Sequence, residues 1–345
     1  MPITHEEMIK LNAYRYDDIP YRDNAAPIIR QYKFSIVFPT YRPGSMDLLF
    51  TSLSKQTYKN FELILVDDYP QRTNNKQDFY NNLLNNEKPK YLKFHDPPKP
   101  DCFNNFYKFG NTVNTGIIEA IKSDFNADII IFLQDYTYLS PTQLEKWNNA
   151  FNKTVQSVDQ IDLTNKLDTI ITGTATIFST PNPTKWKDSF SIWDNNITNS
   201  ILKINSEEEF RSLENFKYLQ QWTPAEYEGF YTGIPKDIII RLNALDENIE
   251  YPSEQVNEFF ERAKIAGYKL TVNRELNCYM MDHRSWHPPD ITDDYLWHFV
   301  RFEPLRKGTP PIRPPLEYFI KQLREGKRSI KANNCFDLEK INLTK

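Results

Sequence analysis

Glycine is scarce in this 345-residue chain, with nine in total. No pair of glycines fits G-x-G-x-x-G or G-x-x-x-x-G-K, which excludes dinucleotide-binding and Walker-type phosphate loops. Cysteine is scarcer still, and Cys102, Cys278 and Cys335 are too far apart for a C-x-x-C zinc or dithiol site. An odd, sparse count suits a reducing compartment. No apolar run approaches the ~20 residues of a membrane span, and the polar start MPITHEEMIKLNAYRYDD has no signal-peptide core. A cytoplasmic protein is therefore expected. Charge of one sign is missing too. Lys plus Arg is 42 against 46 Asp plus Glu, a net charge of -4, which argues against nucleic acid as a partner. What remains is a globular composition, 39% hydrophobic and 26% charged, long enough to bury a sizeable core.

Residues 1–32 read as a polar arm. FSIVF (34–38), FELILV (61–66), YLKF (91–94) and ADIIIFL (127–133) read as strands. Helical spacing covers 45–55, 76–86 and 107–123. Alternating strands and helices predict an α/β fold with a mostly parallel central sheet flanked by helices. Further on, 167–178 reads as a strand, and Pro235 opens a helix through Leu242. Ser253 is placed as the cap of a helix that stops at Gly267. YKLTV and NCYMM (268–272, 277–281) read as two strands. Residues 285–345 are proline-rich with helical stretches near 291–301 and 315–325, and read as an extension packed on the domain.

Four patterns carry chemistry. The strand LILVDD ends in Asp67 and Asp68, and ligands of open α/β sheets bind at carboxyl ends of strands; either carboxylate can instead cap the following turn. The most apolar strand delivers Gln134, Asp135 and Tyr136 to its end. Such oxygen donors suit Mg²⁺ or Mn²⁺ bridging a carboxylate to a diphosphate, or else form a solvated turn. Glu254 falls in the first turn of a helix, as a general base or only as a dipole partner. His283 and His287 stand four apart, but Pro288 and Pro289 argue against one continuous helix, and H-E-x-x-H is absent.

In order, FSIVFPTYRP, SLSKQTYKNFELILVDD and FLQDYTYLSPTQL resemble the successive signatures of family 2 glycosyltransferases of the GT-A fold. The segment from Gly229 to Leu270 is similar to their acceptor-side block. The resemblance covers roughly 33–284, divided into a nucleotide-binding half, 33–136, and an acceptor-side half, 137–284. It implies a glycosyltransferase that moves a sugar from a nucleotide-sugar donor, a UDP-sugar foremost, to a glycan or other hydroxyl acceptor. The reaction would be inverting and assisted by Mn²⁺ or Mg²⁺.

By the same resemblance, Pro39, Thr40 and Tyr41 would line the nucleotide pocket. Asp68 would read the base, supported by Asp67. Lys108 and Gln134 would lie beside the donor. Asp135 and His283 would hold the metal, and Glu254 would be the catalytic base. Trp222 and Tyr231, flanking the segment to Gly233, are the expected acceptor contacts, because aromatic faces stack on sugar rings. Two departures stand out. The D-x-D run is Gln134-Asp135-Tyr136 here, and the E-D pair is Glu254-Gln255. They motivate the alternative of a catalytically silent GT-A domain that binds nucleotide or glycan. A nucleotidyltransferase is disfavoured, since PTYRPG holds the place of a Gly-rich basic loop. The proline-rich tail offers a surface for a second copy, so a homo-oligomer is among the expected partners.

Overall fold

The computed structural model describes residues 29–40, 46–67, 94–95, 109–133, 137–156, 167–178, 219–222, 231–249, 252–281 and 316–344. The elements are β1 (Phe34–Thr40), α1 (Met46–Ser54), β2 (Phe61–Asp67), β3 (Phe94–His95), α2 (Phe109–Lys122), β4 (Ile129–Phe132), β5 (Thr137–Tyr138) and α3 (Gln143–Gln156). They continue with β6 (Thr169–Phe178), β7 (Leu219–Trp222), β8 (Thr232–Pro235), α4 (Lys236–Leu242), α5 (Pro252–Ile265), β9 (Lys269–Met281), α6 (Leu316–Arg324) and α7 (Leu338–Leu343). The expected helices at 76–86 and 291–301 lie outside the described residues.

One nine-stranded sheet runs β3-β2-β1-β4-β8-β6-β9-β5, with β7 paired to β6. β1, β2, β3 and β4 are mutually parallel. β8 is antiparallel to β4 and β6, and β5 is antiparallel to β9. The sheet is therefore mixed, which corrects the expectation of a mostly parallel one.

Every residue of β1, β2 and β4 is buried, as both-faced strands require. Alternation splits them cleanly. Phe34, Ile36 and Phe38 join Leu63, Leu65, α1 and α3 in one core; Val37, Ile64, Val66, Ile130 and Phe132 meet α2, α4 and α5 in the other. Glu62 is a buried exception within this apolar run. Its carboxylate accepts from Ser35 Oγ at 2.6 Å and Ser123 Oγ at 2.7 Å, which ties β1, β2 and the end of α2 together.

β9 is one 13-residue strand where two were expected. Its register with β6 jumps from Thr172↔Val272 to Thr174↔Asn277, so residues 273–276 form a bulge within the strand. α5 begins at Pro252, which places Ser253 inside the first turn rather than at the cap.

The tail is built into the fold. α6 packs on α5, and α7 lies against α2 and α4. Asn243 ends α4 at φ 58, a left-handed C-cap. Its Nδ2 donates to the Ala332 and Phe336 carbonyls at 2.9 and 3.0 Å, and its Oδ1 accepts from Leu338 N at 2.9 Å. Cys278 is a free, buried thiol, whereas Cys335 is disulfide-bonded.

Candidate functional site

The chain leaves β1 toward β2 and β3 on one side and returns at β4 on the other. The order reverses between β1 and β4, and at such a switch point a crevice opens outside the carboxyl ends of the strands. Pro39 cannot extend the β1–β4 ladder there. Leu133 N donates to Val37 O at 3.0 Å, the last bond from β4 to β1. Pro39, two residues on, faces the same way and has no N–H to continue the ladder. Thr40 and Asp67 are the last register pair of β1 and β2, and both are buried.

Two helices aim their first turns at this rim. α2 runs against the sheet. Its C-terminal Ser123 touches Glu62 near the amino end of β2, and a Cβ on Gly116 would meet Val37 at 2.5 Å. Its N-terminus therefore lies at the carboxyl rim. The first turn of α5 joins it there. A Cβ on Gly110 would stand 2.4 Å from Gln255 Nε2, so the Gln255 amide lies flat against the α2 backbone. Glu254 precedes Gln255 in that same turn.

The rim carries unspent hydrogen-bonding capacity. Gln255 Nε2 donates to Ile249 O at 2.6 Å, which fixes the amide and turns its oxygen elsewhere. Gln255 Oε1 and Asn111 Oδ1 are buried, and neither has a hydrogen-bond partner. Buried acceptors of this kind call for a donor, from water or from a ligand.

The signature motifs support one another physically. Gln56, of the Q-T-Y motif, donates to Ser140 O at 2.7 Å and accepts from Leu144 N at 3.0 Å. Thr57 N donates to Pro141 O at 2.8 Å. The Q-T-Y segment thus holds the S-P-x-x-L segment that follows the 134–136 turn. β5 then pairs with the end of β9, with Thr137 opposite Met280.

The expected site residues divide into three groups. Pro39, Thr40 and Asp67 are at the rim, and Glu254 is in a first turn that reaches it. Tyr41, Asp68, Lys108, Gln134, Asp135 and His283 lie outside the described residues. They follow Thr40, Asp67, Leu133 and Met281 in sequence, or precede Phe109. Trp222 closes β7 opposite Ala175, in the backbone register of β6.

Tyr231 and Gly233 are packed into the core beside Trp147. Tyr231 is buried, and its hydroxyl accepts from Trp147 Nε1 at 2.7 Å with the rings edge-on at 5.2 Å. Burial pushes the phenol well above its usual range, so it stays a neutral core group. A Cβ on Gly233 would come within 2.7 Å of Trp147 and 3.0 Å of Phe151, so this glycine serves close packing. Trp147 is fully buried and cannot give way. Gly233→Ala is expected to destabilise the fold by about 1–3 kcal/mol through overpacking, read as a lowered urea midpoint.

Sequence reasoning missed Asn111 and Gln255 as rim acceptors, and Gln56 as the brace of the S-P segment. For Gln56 the sequence carries no local signal, because the backbone it braces, at Ser140 and Leu144, is more than eighty residues away. Among the described residues, no group of three or more His, Cys, Asp or Glu is placed to hold a metal. No described helix is long and apolar enough to cross a membrane.

No family model matches the chain, and no curated protein does. Two distant solved structures share parts of its path. S. aureus TarS has 14% identity and a TM-score of 0.42, over 85% of this chain and 42% of that one. The mannosyltransferase PcManGT from Pyrobaculum calidifontis, in complex with GDP-Man and Mn2+, has 13% identity and a TM-score of 0.42, over 92% and 76%. The chain thus spans under half the length of TarS. Likeness this faint carries no functional weight.

Proposed function

We propose that the chain is a GT-A-type glycosyltransferase of family 2, taking a nucleotide-sugar donor, a UDP-sugar foremost, at the rim between β1 and β4. The observation that carries this reading is the reversal of strand order at that point, with the first turns of α2 and α5 aimed at the same rim. The signature motifs of the sequence all lead to it. The two buried amide oxygens without donors, Asn111 Oδ1 and Gln255 Oε1, suit a ligand rich in hydroxyls.

The nucleotide base rests on Pro39, Thr40 and Tyr41, with Asp68 accepting from the ring. Asp67, at the end of a buried strand, fixes the turn that presents Asp68. The diphosphate lies toward the N-terminus of α2, where Lys108 and the helix dipole favour negative charge. The donor set for a cation is chemically apt. Asp135 and His283 offer it a hard carboxylate oxygen and an imidazole. A bound Mn²⁺ or Mg²⁺ supplies charge neutralisation for the departing diphosphate.

The chain's own residues do the rest. As the sugar–phosphate bond breaks, negative charge grows on the diphosphate and is met by Lys108 and the α2 terminus. Glu254 accepts the proton of the acceptor hydroxyl as that oxygen attacks. Attack from the face opposite the diphosphate inverts the anomeric centre. Gln255 cannot take the proton, because an amide is no base; it orients.

A panel of nucleotide sugars with Mn²⁺, scored for nucleoside diphosphate release, tests the reading. Glu254→Gln is expected to lower release by about 10²–10⁴-fold, the usual contribution of a general base. The fixed amide at Gln255 favours a second reading, a silent domain that binds nucleotide or glycan without turnover. Nucleotide binding with no release from any donor would select it.

A further inference from the structure

We infer that Asn334, in the C-terminal tail, is a positioning residue for the candidate site: it locks the α4–α5 loop in the conformation that sets Gln255 against the first turn of α2. The loop, residues 243–249, opens on two successive left-handed residues, Asn243 at φ 58 and Ala244 at φ 62. Asparagine takes that conformation readily. Alanine rarely does, because its Cβ crowds the following carbonyl. Such strain persists only where the surroundings over-determine it.

Side chains from α5, α2 and the tail hold this loop. Arg262 donates to Ala244 O at 2.8 Å. Asn114, in the second turn of α2, donates to Leu245 O at 2.9 Å and accepts from Leu245 N at 3.1 Å. Asn334 Nδ2 donates to Asn243 O at 2.7 Å and to Leu245 O at 2.9 Å, and its Oδ1 accepts from Glu247 N at 3.1 Å. One tail carboxamide thus spans the loop from the left-handed pair to Glu247.

The loop delivers its position to the site through Ile249. Ile249 N donates to Asp246 O at 3.2 Å, which closes the turn. Ile249 O accepts from Gln255 Nε2 at 2.6 Å, and Gln255 lies where Gly110 leaves no room for a Cβ. A displaced Ile249 carbonyl therefore frees the amide on which α2 is packed, and with it the direction of the unpartnered Gln255 Oε1. That the tail sets Gln255 is independent of the proposed activity; an effect on turnover rests on that reading.

The full-length protein is compared with Asn334→Ala and with Lys331→Ala. The second variant removes tail bonds to Asp337 and Glu339 without touching the loop. Hydrogen exchange followed by mass spectrometry reads the peptides covering 245–258. Asn334→Ala is expected to speed exchange there about tenfold, the scale of one or two lost hydrogen bonds. Lys331→Ala should leave those peptides unchanged even where its melting midpoint falls. With a nucleotide sugar that the parent turns over, Asn334→Ala should lower kcat about tenfold and leave nucleoside diphosphate affinity within about twofold, because only the α5 side of the site has moved. Unchanged exchange in Asn334→Ala, or an equal rise in Lys331→Ala, would overturn the positioning role. So would release that Asn334→Ala leaves at the parent rate. A parent that releases no nucleoside diphosphate from any donor removes the proposed activity, and the exchange comparison then decides alone. Asn334→Asp keeps the acceptor for Glu247 N and loses both donations, and it takes the place of an alanine variant that does not fold.

Discussion

Arg262→Met is expected to destabilise the protein by about 3–5 kcal/mol, the scale for removing one partner of a buried ion pair. Arg262, in the last turn of α5, is fully buried. Its Nε donates to Glu258 at 2.8 Å, and its two terminal nitrogens donate to the carbonyls of Leu242 at 2.6 Å and Ala244 at 2.8 Å. These carbonyls end α4, where no intrahelical donor remains. The tail closes the network from the other side. Arg328 pairs with Asp246, and its Nε lies 3.6 Å from Glu258. Methionine keeps the apolar stem but strands a buried carboxylate and two carbonyls.

The pH dependence distinguishes this account from a simple packing loss. Burial raises the Glu258 carboxyl above its ordinary value, against the lowering influence of Arg262. A raised folded-state value means that the folded protein holds the proton more tightly. The stability gained from protonation is full below the ordinary glutamate range and is lost as pH rises through the raised value. Without Arg262 the carboxyl is raised further. The deficit of Arg262→Met should therefore widen from acid to neutral pH, and Glu258→Gln added to it should recover part of the loss. Urea midpoints across that range check both statements. A deficit flat with pH would mean that lost packing, not the stranded charge, dominates.

The second large effect concerns turnover. Asp135 is the only carboxylate in the Gln134-Asp135-Tyr136 turn, so in the proposed site it carries the cation that a D-x-D run would share. Asp135→Ala is expected to lower nucleoside diphosphate release by about 10²–10³-fold, as for loss of one group that stabilises developing charge. Raising Mn²⁺ should restore part of the rate, because weakened metal affinity is overcome by mass action. The melting midpoint should hold. A turnover loss insensitive to Mn²⁺, or a fallen midpoint, would give the residue a structural role instead.

The strands that build the rim were legible because β1, β2 and β4 are buried on both faces and therefore read as largely apolar runs, broken only by Ser35 and Glu62 before their polar ends. Their carboxyl ends were legible for the same reason: a buried run must stop where polar residues begin. β8 was not, since Thr232–Pro235 holds a glycine and a proline, residues that argue against a strand. Pro235 is tolerated because it ends the strand and caps α4. β9 was split in reading because Asn273, Arg274 and Glu275 look like a loop, and only pairing with β6 keeps the strand whole.

Within the site, side-chain type misled where one residue can do two jobs. Tyr231 carries an aromatic face and a hydroxyl, which suit a sugar as well as Trp147. Arg262 sits in a helix whose charged neighbours read as a solvated face, and nothing local shows that α4 leaves two carbonyls beneath it. Asn111 gave no signal, and Gln255 was noticed only as a departure from an acidic pair, because their role as acceptors lies in which oxygen is left without a donor. That depends on Ile249 and Gly110, which only the folded chain brings together.

The most direct test of the central claim is a crystal structure of the protein with a nucleoside diphosphate and Mn²⁺. The account predicts the base against Pro39 and Thr40, and the diphosphate and cation between the carboxyl ends of β1 and β4 beside Asp135. A nucleotide bound away from that crevice, or a crevice closed by side chains with the nucleotide present in excess, would contradict it.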